Sequence, residues 1–177
     1  FAVGGWLFAA AMALVVALAG REYARLFRLG GLRPSTWLLV IGSAALVLAR
    51  QANGFDGSPA LLAALALVSL TWHLVDFERG APRSGTDFGV TLGGLVYLGW
   101  IGAYLVSLRG LPDGLWWLLI SLPAVWIGDS AAYFVGRAIG RHKMAPRLSP
   151  KKSWEGYAAG VVGAALAGAG LAARFRE

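Results

Sequence analysis

Apolar residues gather into six runs, at roughly 2–20, 36–49, 59–75, 88–108, 115–136 and 157–173, with short polar stretches between them. A spanning helix needs about 20 mostly apolar residues, so the pattern predicts about six membrane-crossing helices with short connections. The second run is short for a span. It gains length if Pro34–Trp37 join it, and a tilted helix or a locally thinned bilayer would serve equally. Most of the eight tryptophans fall near run ends, as Trp6, Trp37 and Trp154 do, which is where interfacial anchors belong.

Composition agrees with this pattern. Hydrophobic residues make up 58% of the chain and charged residues 14%, against about 25% charged in ordinary soluble domains. The expected fold class is all-α: one polytopic transmembrane helical bundle, a single domain over 1–177. Twenty-five glycines suit close helix packing in lipid, and Gly89/Gly93, Gly136/Gly140 and Gly156/Gly160 have GxxxG spacing. There is no cysteine, which excludes disulfides, zinc–thiolate sites and cysteine nucleophiles. The chain opens at Phe1 without a Met or a basic leader, so Phe1–Ala19 is expected to be a spanning helix rather than a signal peptide. The same feature suggests a piece of something longer.

The net charge of +7 points to topology and anionic headgroups rather than to nucleic acid. Lysines and arginines number twelve in the odd-numbered loops and two, Arg50 and Arg109, in the even ones. The positive-inside rule then places the odd loops in the cytoplasm and the N-terminus outside. Arg174 and Arg176 run against the alternation. The expected location is an integral position in a bacterial inner membrane, with the functional site facing the cytoplasm.

Two segments carry candidate chemistry. In Gly128–Arg137 an ionisable Asp129 interrupts an apolar run, and a carboxylate at membrane depth marks a functional site by default. Helical spacing puts Asp129 on one face with Ala132, Tyr133, Gly136 and Gly140, a face expected to look into the bundle. Alternatively, Asp129 or Ser130 caps a helix beginning near Ala131. In Ser149–Gly156, Ser149 as N-cap and Pro150 at the first helical position read as a helix start. Lys151 and Lys152 would then lie in its first turn. There they either set topology and touch lipid phosphate, or help a helix N-terminus to cradle a di- or triphosphate. Glu155 orients a lysine, completes a metal shell or simply favours the helix dipole. His142 reads as a polar loop residue and His73 as an interfacial side chain. Asp76, Glu78 and Asp87 read as solvated loop carboxylates. No Ser–His–Asp set, HExxH or Walker-type loop is present.

At these residues the chain resembles the phosphatidate cytidylyltransferase (CDP-diacylglycerol synthase) family. That family's Asp-Ser/Thr-x-Ala-Tyr-Phe-x-Gly-Arg-x-x-Gly run is matched by Asp129, Ser130, Ala132, Tyr133, Phe134, Gly136, Arg137 and Gly140. Its Ser-Pro-Lys-Lys-Thr/Ser-Trp-Glu-Gly octapeptide is matched by Ser149 through Gly156. Lys143 and Pro146 also fit, and the likeness extends from about Thr91 to Gly163. The resemblance implies transfer of CMP from CTP to phosphatidate, with CTP and a membrane lipid as substrates and Mg²⁺ as cofactor. It further implies Asp129 as catalytic residue and metal ligand, with Lys151 and Lys152 stabilising the phosphates. Tyr133, Arg137, Lys143, Ser149, Pro150, Ser153, Trp154, Glu155 and Gly156 are implied to line the substrate site.

The family's further signature, with a Lys-Asp pair, a His-Gly-Gly and an acidic cluster, does not occur before Glu177, so the chain looks like an N-terminal and central part. A homodimer stays open. So do a CTP-dependent polyprenol or phytol kinase, using the same nucleotide site, and a transporter in which Asp129 binds a coupling cation.

Overall fold

The computed structural model describes residues 4–175. The expected first span therefore begins, with Phe1–Val3, outside the described residues, as does Arg176. All six apolar runs form helices: α1 (Trp6–Leu29), α2 (Leu38–Asn53), α3 (Ser58–Glu78), α4 (Ser84–Arg109), α5 (Gly114–Ile139) and α6 (Trp154–Arg174). All but α2 are long and apolar enough to cross a bilayer, so α2 keeps the shortness its sequence showed. The chain is an integral membrane protein of the all-α class. Among the described residues the one departure is a two-stranded antiparallel hairpin, β1 (Lys143–Ala145) and β2 (Ser149–Ser153).

The chain divides into two compact units, residues 1–112 and 113–177. The first holds α1–α4 around a core of Phe8, Ala9, Ala24, Leu38, Leu39, Leu46, Val47 and Leu95. Glycine sets how closely these helices cross. A methyl group on Gly20 would lie 2.7 Å from the Leu39 carbonyl oxygen, and one on Gly99 would lie 2.9 Å from Ser43 Cα. Both α2 and α4 contain a π-helical stretch, at Leu38–Gly42 and Leu95–Trp100.

Two charged groups are buried here that the sequence pattern assigned to loops. Arg50 is 3% exposed. Its Nε donates to Ser58 Oγ and its Nη1 to Ser107 Oγ, both at 3.1 Å, and its guanidinium lies 3.7 Å from the Phe55 ring centroid. One charge thus ties the α2–α3 turn to the end of α4 through hydrogen bonds and a cation–π contact. Asp87, expected in a solvated loop, sits in the first turn of α4 and is also 3% exposed. It accepts the Arg33 backbone N–H at 2.7 Å. A turn later, Thr91 Oγ1 donates to the Asp87 carbonyl at 2.8 Å and accepts the Ser35 N–H at 3.0 Å. His73 Nε2 lies 3.0 Å from the same oxygen. His73, expected at an interface, is therefore a buried member of this network. A carboxylate at a helix start faces the positive end of the dipole, and the Arg33 N–H it accepts offsets part of the cost of its burial.

The second unit is α5, the hairpin and α6. Its two helices pack backbone to backbone. A methyl on Gly160 would lie 3.1 Å from the Gly128 carbonyl oxygen, and one on Gly156 would lie 2.7 Å from that of Ala132. The small-residue spacing of Gly128, Ala132 and Gly136 against Gly156, Gly160 and Ala164 explains the fit.

Candidate functional site

The candidate residues all fall in the second unit, and α5 carries the first of them. Asp129 is inside α5, well past its start at Gly114, so neither it nor Ser130 caps a helix near Ala131. The face of α5 that meets α6 is that of Gly128, Ala132 and Gly136. Asp129 is exposed beside it, not turned into the helix pair as the shared-face pattern suggested. The cause is the tightness of the contact, where a Cβ on Gly128 already comes within 2.9 Å of Ala164 Cβ. Asp129 has no hydrogen-bond or ion-pair partner among the described residues. It lies ten residues before Ile139, about 15 Å along the axis at 1.5 Å per residue. One turn beyond it Tyr133 is exposed, and its hydroxyl accepts from Arg137 Nη1 at 3.1 Å.

The hairpin follows. The expected helix start at Ser149 does not form: Ser149–Ser153 is a strand and Ser153 is the N-cap of α6. Two local preferences decide this. Lysines in a first helical turn would face the positive end of the dipole. Moving the start to Trp154 leaves Glu155 in that turn and lets Ser153 Oγ accept the Gly156 N–H at 3.2 Å. Ser153 is only 3% exposed, so the cap is sealed against α5.

Lys143 pairs with Ser153 and Ala145 with Ser149. Between these pairs β2 therefore carries two more residues than β1, and Pro150-Lys151-Lys152 bulges from the ladder. Proline cannot donate to a ladder, and bulges recur beside functional sites, where they re-aim side chains. Lys151 and Lys152 are exposed on that bulge instead of being wound into a helical turn.

Glu155 closes the hairpin against α6. Its Oε1 lies 2.6 Å from His142 Nδ1, and its carboxylate also accepts the His142 backbone N–H at 3.2 and 3.3 Å. The Trp154 N–H donates to the His142 carbonyl at 2.9 Å. His142 is thus the residue the pattern undervalued. Its position before Lys143, facing the Glu155 turn, depends on a pairing that nothing in the local sequence announces. Trp154 is exposed, with its ring edge-on to Tyr157 at 5.9 Å between centroids.

The structure thus brings Lys143, Ser149, Ser153, Trp154, Glu155 and Gly156 into one hairpin–helix junction and joins Tyr133 to Arg137. It gives Asp129, Lys151 and Lys152 no protein partner among the described residues. A carboxylate and several cations without internal partners are the arrangement expected where an external anion and its counter-cation complete the set.

Comparison with known proteins decides the family, because the model of the cytidylyltransferase family matches residues 1–176. The chain belongs to that family. A phosphatidate cytidylyltransferase from Synechocystis sp. is 30% identical over 94% of this chain and 64% of its own length. One from Brucella suis is 40% identical over 77% of this chain and 46% of its own length. One from Mycobacterium bovis is 30% identical over 89% and 54% respectively. The chain therefore spans about half to two thirds of the length of these relatives.

The cofactor implied for such a site is Mg²⁺. No three His, Cys, Asp or Glu side chains cluster to hold a metal among the described residues, and Asp129 is a single carboxylate. Mg²⁺ is commonly held by one or two carboxylates, with substrate phosphates and water filling its shell. A single carboxylate is compatible only with an ion that would bring phosphate and water oxygens to fill its shell.

Proposed function

We propose that this chain carries out, as part of a membrane nucleotidyltransferase, the transfer of CMP from CTP to phosphatidate, giving CDP-diacylglycerol and pyrophosphate. A phosphate oxygen of phosphatidate forms the new bond to the α-phosphorus of CTP. The bond from that phosphorus to the β-phosphate oxygen breaks, and pyrophosphate leaves with the electron pair. The observation that carries this reading is the bulged Pro150-Lys151-Lys152 segment, held by a sealed cap and family-matched along its length.

Lys151 and Lys152 face the triphosphate and stabilise charge as it moves onto pyrophosphate. Arg137, positioned through Tyr133, and Lys143 add to the positive field over the bulge. The Glu155–His142 pair and the Ser153 cap hold the hairpin against the start of α6, which fixes where the lysines project. Ser149, Pro150, Trp154 and Gly156 shape this wall. Asp129, together with the phosphates, would hold Mg²⁺, which would supply charge neutralisation there. The excess of basic residues in the odd-numbered loops supports a hairpin on the cytoplasmic side of an inner membrane, where CTP is available.

The test is turnover in membranes carrying the protein expressed from its complete gene, with labelled CTP and Mg²⁺. CDP-diacylglycerol and pyrophosphate formed from phosphatidate are the expected products. Phosphoryl transfer to a long-chain alcohol instead, or cation flux without nucleotide, would replace this assignment with a kinase or a transporter.

A further inference from the structure

His142 is held more firmly than an exposed loop residue needs to be. Its backbone N–H donates to the Glu155 carboxylate at 3.2 and 3.3 Å, and its carbonyl accepts the Trp154 N–H at 2.9 Å. Its ring is anchored as well, with Nδ1 2.6 Å from Glu155 Oε1. The side chain is nonetheless 80% exposed, against 24% for that of Glu155.

This arrangement fixes the chemistry of the ring. An ionised carboxylate only accepts, so Nδ1 carries the proton of the 2.6 Å bond. Nε2 is then the ring's remaining polar atom, and it has no partner among the described residues. A carboxylate that orients one imidazole nitrogen and leaves the other outward is a recurring way to aim histidine at a ligand. The charge of Glu155 serves His142 in this structure rather than a lysine.

The position of His142 bears on which ligand it meets. α5 ends at Ile139, and α6 begins at Trp154, the residue bonded to the His142 carbonyl. Both helices are long and apolar enough to cross a bilayer, so His142 sits where the chain leaves it. Trp154 and Tyr157 are exposed at the same end of α6, and these aromatic types favour the membrane boundary. That is the depth of lipid phosphates. The flanking Arg141 and Lys143 are exposed cations, which favour an anion there.

We infer that His142 Nε2 donates to the phosphate of the lipid substrate, so that this residue recognises the lipid while the bulged lysines recognise the nucleotide. The inference rests on the CMP-transfer reading and supplies the lipid side of that site. With the phosphate in place the ring donates from both nitrogens, as an imidazolium between two anions.

The test uses the protein expressed from its complete gene, with labelled CTP, Mg²⁺ and phosphatidate, each substrate varied in turn. His142→Gln keeps an amide that can still donate to Glu155. It should raise KM for phosphatidate about tenfold, as loss of one charge-assisted contact implies, and leave KM for CTP near the parental value. His142→Arg should restore most of the loss, since a guanidinium can bridge Glu155 and a phosphate. If His142 only braced the hairpin, the lysines would shift instead. KM for CTP and the melting temperature would then change while KM for phosphatidate stayed parental, and that result overturns the inference. A second readout needs no turnover: native mass spectrometry of the purified protein with phosphatidate and a diacylglycerol of matched chains. Preference for phosphatidate should fall about tenfold in His142→Gln, and an equal preference in both proteins overturns the inference. Absence of CDP-diacylglycerol from the parental assay would sink the CMP-transfer reading, while the retention measurement would still decide whether His142 holds a lipid phosphate.

Discussion

Asp129 is a carboxylate on a membrane-crossing helix with no neutralising partner among the described residues, a position that marks a candidate functional site. Asp129→Asn keeps the shape and removes the charge. In the protein from the complete gene it should fold and insert normally yet lose more than about 100-fold in kcat, since even the outer partners of metal ligands are worth 10–100-fold. Near-normal turnover at saturating Mg²⁺ would remove Asp129 from the site. Lys151→Ala and Lys152→Ala should each cost about 1.5–3 kcal/mol in kcat/KM for CTP, roughly ten- to a hundredfold. Because the loss concerns charge that grows in the transition state, it should appear in kcat as well as KM. On an exposed bulge there is room for a guanidinium, so Lys152→Arg should keep most of the activity. Steady-state kinetics with CTP varied would show parental values in both alanine variants if the lysines only set topology. The two segments that carry candidate chemistry, Gly128–Arg137 and Ser149–Gly156, stood out from residue type and spacing. Asp87 and His73 did not, because burial depends on the Arg33–Ser35 segment that crosses over them, a partner far away in the chain.

At the scale of elements, every apolar run became a helix, because hydrophobic length is a strong and local signal. The hairpin escaped notice because short strands containing Pro150 and two lysines show neither alternation nor β-branched residues. The start of α6 moved from Ser149 to Ser153 when two capping sequences competed and the dipole favoured the second. Ser153→Ala should therefore destabilise the second unit by about 1 kcal/mol through loss of the cap, while Ser153→Thr should be milder. Thermal unfolding in detergent would rank the two, and equal melting of all three proteins would show that the cap contributes nothing. Gly160→Leu should be worse than either, since overpacking commonly costs about 1–3 kcal/mol and the obstructing atoms on α5 are backbone as well as side chain.

At the scale of the whole molecule, the distribution of basic residues makes an orientation testable. The chain has no native cysteine, so single introduced cysteines report without background. Leu148, at the hairpin tip, is 90% exposed, and Asp56 is exposed in the α2–α3 turn. In intact cells an impermeant maleimide should label Asp56→Cys and should reach Leu148→Cys only after permeabilisation. The reverse pattern would invert the protein and move the proposed chemistry to the wrong side for CTP.

The glycine-to-backbone seam between α5 and α6 has a mechanical consequence. Where two helices touch through main chain, no layer of side chains remains that could change rotamers and let them slide. The pair should behave as one stiff strut, with the compliance of the second unit concentrated in the Pro150–Lys152 bulge, which the ladder does not hold. Deuterium uptake should then be slow along Gly128–Gly136 and Gly156–Ala164 and fast at Lys151 and Lys152, with nucleotide slowing only the latter. In the proposed reaction such a strut would give the cationic bulge a fixed base, and each turnover would disturb the surrounding lipid very little.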